Sequence, residues 1–301
     1  MTANAASGTL VIDAPLAHQR WAPAAGAHGR PVLLLHGIGG AAQAWGDAGS
    51  ATGPVLVAAG FTVLAVDFPG YGLSPRIEPF DLAGLATAVV ALIEWLGAGP
   101  AVLVGHSMGG MVAQEVAAIA PQVVAGLVLA STSPAFGKPG GDWQTEFLRS
   151  RFAPLDAGLG MAGLAALLVP TMVAPGTAAG PLAVVIPAVI PAEIAAEIAA
   201  AIPAAMAMMA AVPEATYRSA VAALVSFDRR ANLPLITVPT LVITGEHDRT
   251  AAPEVARRMA ERITGAQAVV VPSAGHLLPI EQPQAFHAAV LAFLAAHPPN
   301  R

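Results

Sequence analysis

The chain has no cysteine among its 301 residues, which excludes disulfides and a thiolate nucleophile. Charge is scarce: Asp, Glu, Lys and Arg make up 11% of the residues and leave a net charge of -5, so there is no basic footprint for nucleic acid. No histidine cluster has the spacing of metal ligands, and neither a metal nor another cofactor is expected. The opening Met1-Thr2-Ala3-Asn4-Ala5-Ala6-Ser7-Gly8 lacks a basic segment followed by an apolar one. No secretion signal is therefore visible, and a soluble cytoplasmic protein, monomer or homodimer, is the default expectation. Charge is missing altogether from Ala157 to Ala192. That span is long enough for a membrane helix. Pro170, Pro175, Pro181, Pro187 and Pro191, with Gly176 and Gly180, interrupt it too often for one continuous helix, so no membrane insertion is expected. Apolar residues are abundant, at 55%, over a length sufficient for one large core.

The most informative segment is Gly105-His106-Ser107-Met108-Gly109. It follows the apolar run Ala101-Val102-Leu103-Val104 and opens a helix-like stretch over residues 110–120, which Pro121 ends. Strand, tight turn and helix is the setting in which Gly-x-Ser-x-Gly becomes a nucleophile elbow. Such a turn strains the serine backbone and lifts its hydroxyl above the sheet, while the flanking glycines remove the β-carbons that would clash.

A hydroxyl nucleophile needs a base, and the base needs an orienting acid. Residues 268–271 read as a buried strand followed by Pro272-Ser273-Ala274-Gly275-His276, which sets His276 in a loop past a strand end. Residues 240–244 read as another strand, followed by Gly245-Glu246-His247-Asp248. Asp248 occupies the corresponding loop position and can hold the imidazole in the tautomer that accepts the Ser107 proton. The loop after the strand at 126–130, Ser131-Thr132-Ser133, has no carboxylate to compete with it. Glu246 and His247 stay open between a site role and an ordinary loop position, with His247 read as the latter because a base beside Asp248 would leave His276 unexplained.

The tetrahedral intermediate of acyl transfer needs donors for its oxyanion. The apolar run 31–35 breaks into His36-Gly37-Ile38-Gly39-Gly40. The amide of Met108, next after the nucleophile, and that of Ile38 are the expected donors. His36 and Gly37 are candidate substrate-binding positions in the same loop. Gly37-Ile38-Gly39-Gly40-Ala41-Ala42 also fits the Gly-x-Gly-x-x-Ala fingerprint of dinucleotide sites, with Asp67 ending the next strand. Gly46, Gly49, Gly53 and Pro54 interrupt the helix that the fingerprint requires, and Asp67 comes late for it. The loop around Asp67 is better read as structural.

With His36-Gly37, Asp67-x-Pro69-Gly70-x-Gly72-x-Ser74, Gly105-His106-Ser107-Met108-Gly109-Gly110, Gly245-x-x-Asp248 and Gly275-His276 assembled, the chain resembles the α/β-hydrolase superfamily over nearly its full length. The segment 238–248 looks most like the serine esterase and 3-oxoadipate enol-lactonase branch. The resemblance implies an α/β fold with a mostly parallel central sheet and helices on both faces. Residues 1–132 and 233–301 would form that core, and 133–232, inserted after the sixth strand, a helical cap over the active site. Serine at 107 argues against the epoxide hydrolases and haloalkane dehalogenases of this fold, which carry aspartate there. Carbon–carbon bond hydrolases share the Ser-Asp-His set and stay open.

In the expected cap, Met206, Met208 and Met209 lie in an alanine-rich helix and are candidates to line a dry substrate pocket; filling the cap's own core is the plainer alternative. Arg149, Arg151, Arg218, Arg229 and Arg230 are the cations that could bind a substrate carboxylate. Surface ion pairs are their ordinary explanation. The expectation is therefore a serine hydrolase acting on a neutral, moderately apolar carboxylic ester. A lactonase, a carbon–carbon hydrolase and a ligand-binding signalling protein on the same scaffold are the alternatives.

Overall fold

Four runs of apolar residues, each four to seven long, make the centre of the sheet, and they alternate in a way that hydropathy alone does not show. In the strand Val32–Leu35, Leu33 and Leu35 join one buried cluster while Val32 and Leu34 join another. Val63–Val66, Ala101–His106 and Thr240–Gly245 divide their side chains between the same two clusters. A parallel sheet covered on both faces needs apolar residues at every position, and the period-two geometry of the strand sends them to opposite sides.

The structure is a computed structural model that describes residues 8–23, 30–46, 49–175 and 192–298. Its strands are β1 (Thr9–Val11), β2 (His18–Trp21), β3 (Val32–Leu35), β4 (Val63–Val66), β5 (Ala101–His106), β6 (Val124–Ala130), β7 (Thr240–Gly245) and β8 (Gln267–Val271). They form one sheet in the order β1-β2-β4-β3-β5-β6-β7-β8, in which β2 runs antiparallel to both its neighbours, β1 and β4, and the remaining pairs are parallel. The helices are α1 (Thr52–Ala58), α2 (Leu82–Leu96), α3 (Met108–Ile119), α4 (Asp142–Asp156), α5 (Gly160–Met172), α6 (Ala192–Ala211), α7 (Glu214–Val225), α8 (Pro253–Glu261), α9 (Leu278–Glu281) and α10 (Pro283–Ala296). Helices α2, α3 and α8 pack on the face of Leu33 and Leu35, and α1 and α10 on the face of Val32 and Leu34. This is the α/β-hydrolase fold that the motifs imply.

Helices α4 to α7 follow one another between β6 and β7, where the sequence predicts an inserted helical segment. Their buried side chains, among them Phe147, Leu164, Tyr217 and Leu224, belong to the same apolar cluster as one face of the sheet. Gln144 ties the segment together, donating from Nε2 to the carbonyls of Phe136 at 3.0 Å and Val225 at 2.8 Å. The prolines act less strictly than the sequence reading expects. Pro170 sits inside α5, which runs on to Met172, and Pro203 sits inside α6. Pro181, Pro187, Pro191, Gly176 and Gly180 lie outside the described residues, as do residues 1–7. Among the described residues no helix is long and apolar enough to cross a membrane.

Candidate active site

Every residue singled out for chemistry lies just past the C-terminal end of a strand, the edge at which open parallel sheets bind ligands. β3 runs into His36-Gly37-Ile38-Gly39-Gly40, β5 into Ser107, β7 into Asp248 and β8 into His276. Ser107 has φ 53 and ψ -115, a backbone conformation strained for any residue with a side chain. Two hydrogen bonds from neighbouring strand ends hold it there. The Ser107 amide donates to the Ala130 carbonyl at 2.9 Å, and the Thr132 hydroxyl donates to the Ser107 carbonyl at 2.8 Å. The turn also needs bare backbone, because a β-carbon on Gly109 would overlap the Leu35 carbonyl.

The strained turn delivers the Ser107 hydroxyl to a histidine. Ser107 Oγ lies 3.0 Å from His276 Nε2, and His276 Nδ1 lies 2.9 and 3.1 Å from the two carboxylate oxygens of Asp248. A carboxylate accepts only, so the proton sits on Nδ1 and leaves Nε2 free to accept from the serine. Asp248 and His276 are 3% and 5% exposed, so little water competes for these bonds. Burial by itself would raise the Asp248 pKa. The His276 imidazole and the amides of Ala251 and Thr250, both donating to Oδ1 at 2.8 Å, outweigh it and hold the carboxyl well below the usual carboxylate range. Asp248 is thus a fixed anion aimed at the ring.

Two further histidines stand beside the serine. His106 donates from Nε2 to the His276 carbonyl at 2.7 Å, and burial, followed by the nearby His276 ring, lowers its pKa to about 4. His36 accepts at Nε2 from the Phe68 amide at 3.2 Å and donates from Nδ1 to the Gly37 carbonyl at 2.7 Å; burial lowers its pKa as well. Both rings are therefore neutral wall elements near pH 7.

Ser107 opens on a largely apolar cavity. The glycine loop supplies one wall, from His36 through Ile38 to Gly40. Val169 and Met172 of α5, with Ala205, Met208 and Met209 of α6, supply the facing wall. Trp45, Leu277 and Ile280 close the sides. None of the described lining residues is Asp, Glu, Lys or Arg. Gly37 keeps its wall thin beside Ser107, since a β-carbon there would meet the His106 ring and the Ser107 side chain.

Two of the three methionines singled out from the sequence line this cavity, and the third does not. Met206 is half-buried against the main core and is absent from the lining. The lining positions 205, 208 and 209 share one helical face by their spacing of three and four, and Met206 falls off it. The sequence reading did not anticipate Trp45, Val169, Met172, Leu277 or Ile280 as wall residues. Only Leu277 and Ile280 carried a signal, their closeness to His276 along the chain.

The five arginines are accounted for elsewhere. Arg149 pairs with Glu146, Arg218 with Asp156 and Glu214, Arg229 with buried Glu115, and Arg230 with Asp228. Arg151 lies over the Phe147 ring, 3.5 Å from its centroid. The two oxyanion candidates, Met108 and Ile38, differ in setting. Met108 is the first residue of α3, where amides have no intrahelical acceptor, and Ile38 lines the cavity with its carbonyl taken by the Tyr71 hydroxyl at 3.1 Å. The dinucleotide alternative loses its helix, because the glycine loop leads into a short 3-10 turn at Ala42–Trp45. Asp67 instead accepts from the amides of Ala42 at 2.7 Å and Leu73 at 3.4 Å, buried inside its own loop.

Comparison with known proteins agrees with this geometry. The chain is 30% identical over 281 residues to the dihydrolipoyllysine-residue acetyltransferase component of the acetoin cleaving system of Pseudomonas putida, covering 92% of this chain and 67% of that protein. It superposes on a thermophilic esterase from Thermogutta terrifontis with a TM-score of 0.74 at 28% identity, covering 94% of each chain. An enol-lactonase from Burkholderia xenovorans LB400 shares the fold, with a TM-score of 0.73 at 23% identity over 95% of this chain and all of that one. The alpha/beta hydrolase family matches residues 32–289, from the first parallel strand into the final helix, and the chain belongs to that family.

Proposed function

We propose that this hydrolase cleaves neutral, moderately apolar carboxylic esters through an acyl-enzyme intermediate on Ser107. The observation that carries the reading is the unbroken chain of hydrogen bonds from Ser107 through His276 to Asp248, opening on a cavity with no charged residue among its described walls. Ser107 Oγ attacks the ester carbonyl carbon as His276 Nε2 takes its proton. The carbonyl oxygen becomes an oxyanion held by the amides of Ile38 and Met108. Collapse of the tetrahedral intermediate breaks the bond to the leaving alcohol, which takes the proton from His276. Water then gives a proton to His276 and its oxygen to the acyl carbon, and the second collapse returns Ser107 and releases the carboxylic acid. Asp248 keeps the ring in its working tautomer and stabilises the imidazolium in both halves.

Residues 133–232 act in this proposal as a cap whose α5 and α6 roof the acyl site. A charged substrate group would lie unpaired against Met172, Met208, Met209 and Leu277, which disfavours a dicarboxylate-like lactone. The named esterase neighbour supports the ester reading. The test is a panel of p-nitrophenyl esters of graded acyl length, run beside a neutral lactone and a vinylogous diketone. Turnover is expected on the esters, with a preference for short to medium apolar acyl groups. Negligible ester turnover with strong thermal stabilisation by one small molecule would replace the reading with a ligand-binding role. Preferential cleavage of the lactone or diketone would reassign the bond that is broken.

A further inference from the structure

Five residues beyond His276, the side chain of Glu281 is buried at 1% exposure and has no arginine or lysine partner among the described contacts. Its carboxylate accepts three main-chain N–H groups instead. Ala174 at 2.7 Å and Gly275 at 3.0 Å donate to Oε2, and Leu277 at 3.0 Å donates to Oε1. An acid buried without such donors would be costly; three amides aimed at one carboxylate are a fitted cradle. Burial raises the Glu281 pKa, and the three amides together with nearby His276 oppose the rise.

The donors come from two segments distant in sequence. Gly275 and Leu277 flank His276, whereas Ala174 lies just past the end of α5. The His276 amide donates to the Met172 carbonyl at 2.7 Å, so the same two segments are joined a second time. They touch so closely that a β-carbon on Gly275 would overlap the Ala174 amide and the Met172 carbonyl. With the His276 carbonyl held by His106 Nε2, both main-chain groups of the histidine and both adjacent amides have a fixed partner. Only the side-chain torsions remain, and Asp248 sets those.

We propose that Glu281 is a positioning residue: its carboxylate fixes the His276 main chain against residues 172–174, and so ties the ring's distance from Ser107 to the α5 wall of the cavity. The proposal rests on the reading of Ser107 and His276 as nucleophile and base. Glu281 touches no reacting atom and acts only through the loop. A shift of about 1 Å in a reacting group costs about 100-fold in rate, so loss of the cradle should appear in kcat before it appears in KM.

Glu281→Gln keeps the shape and one acceptor but turns an NH2 group towards an amide donor. Expected are a fall in kcat of about 10- to 100-fold on a p-nitrophenyl ester, KM within about threefold, and broadening or displacement of the downfield His276 Nδ1–H proton resonance. Faster hydrogen exchange at the Gly275 and Leu277 amides should accompany them. Should that variant not fold, Ala174→Pro removes one donor, leaves Glu281 in place, and carries the same readouts with smaller effects. An unmoved Nδ1–H resonance, whether kcat is unchanged or falls only with thermal stability, would overturn the proposal. Ser107→Ala run in parallel separates the two levels. Hydrolysis surviving in that variant removes the underlying reading, whereas its loss beside a wild-type-like Glu281→Gln refutes the role of Glu281 alone.

Discussion

Exchanging Asp248 for Asn leaves the shape of the acid nearly intact and reverses the sense of one hydrogen bond. In the native site Oδ1 accepts the Thr250 and Ala251 amides, each at 2.8 Å, and Oδ2 faces His276 Nδ1 at 2.9 Å. An asparagine must put its oxygen on the side of the two amides. The opposite rotamer would lose both bonds, about 1 kcal/mol each, and press NH2 against two donors. Its NH2 therefore faces His276 Nδ1, and the ring must move its proton to Nε2, where it donates to Ser107 instead of accepting from it. The longer contact of 3.1 Å to Oδ1 offers little relief, because that oxygen already serves two amides. Loss of the working tautomer and of the charge opposite the imidazolium should lower kcat about 10⁴-fold, or about 5 kcal/mol at the transition state. The assay is steady-state hydrolysis of a p-nitrophenyl ester by wild type and Asp248→Asn, with far-ultraviolet circular dichroism and Tm as folding controls. A folded variant within tenfold of wild type would refute the reasoning.

Other outcomes follow from the neutral histidine walls and the methionine face. His106 has a folded pKa of about 4, below the ordinary 6.5, so the unfolded chain takes up its proton first as pH falls. Stability should decline between about pH 6.5 and about pH 4 and flatten below. The contribution is at most about 3 kcal/mol, since the ring lines the cavity and is partly solvated. His106→Gln, which can still donate to the His276 carbonyl, should show a shallower decline in urea unfolding; an unchanged slope would contradict the assignment. Met208→Asp and Met209→Asp should each raise KM for apolar esters at least tenfold by setting a carboxylate in a dry wall, and Met206→Asp should raise it far less. Equal effects at all three positions would contradict the placement of the helical face.

Much of this arrangement is legible in the chain before any coordinate. Buried parallel strands need apolar residues on both faces, so β3, β4, β5 and β7 stand out as uninterrupted runs, and the loops that follow β5, β7 and β8 hold the residues that can do chemistry. Ser107, Asp248 and His276 are legible in that way, and Gly105 and Gly109 mark the turn where backbone approaches backbone. The rotational phase of α6 was not legible. Residues 198–211 of α6 are apolar on all sides, so periodicity there does not separate Met206 from Met208 and Met209. Pro170 misleads as well, because helix α5 continues through it. Glu281 left no trace, since a lone acid in a chain reads as a solvated one until the amides of Ala174, Gly275 and Leu277 are seen to converge on it.

The central claim is that Ser107 carries the acyl group. Wild type and Ser107→Ala should be treated with a serine-directed p-nitrophenyl phosphonate, and the adduct located by peptide mass spectrometry beside ester turnover. The account predicts one adduct, on Ser107, with stoichiometric loss of activity, no adduct in the variant, and turnover reduced by up to about 10⁶. An adduct on Ser131 or Ser133, or ester hydrolysis that persists in folded Ser107→Ala, would contradict it.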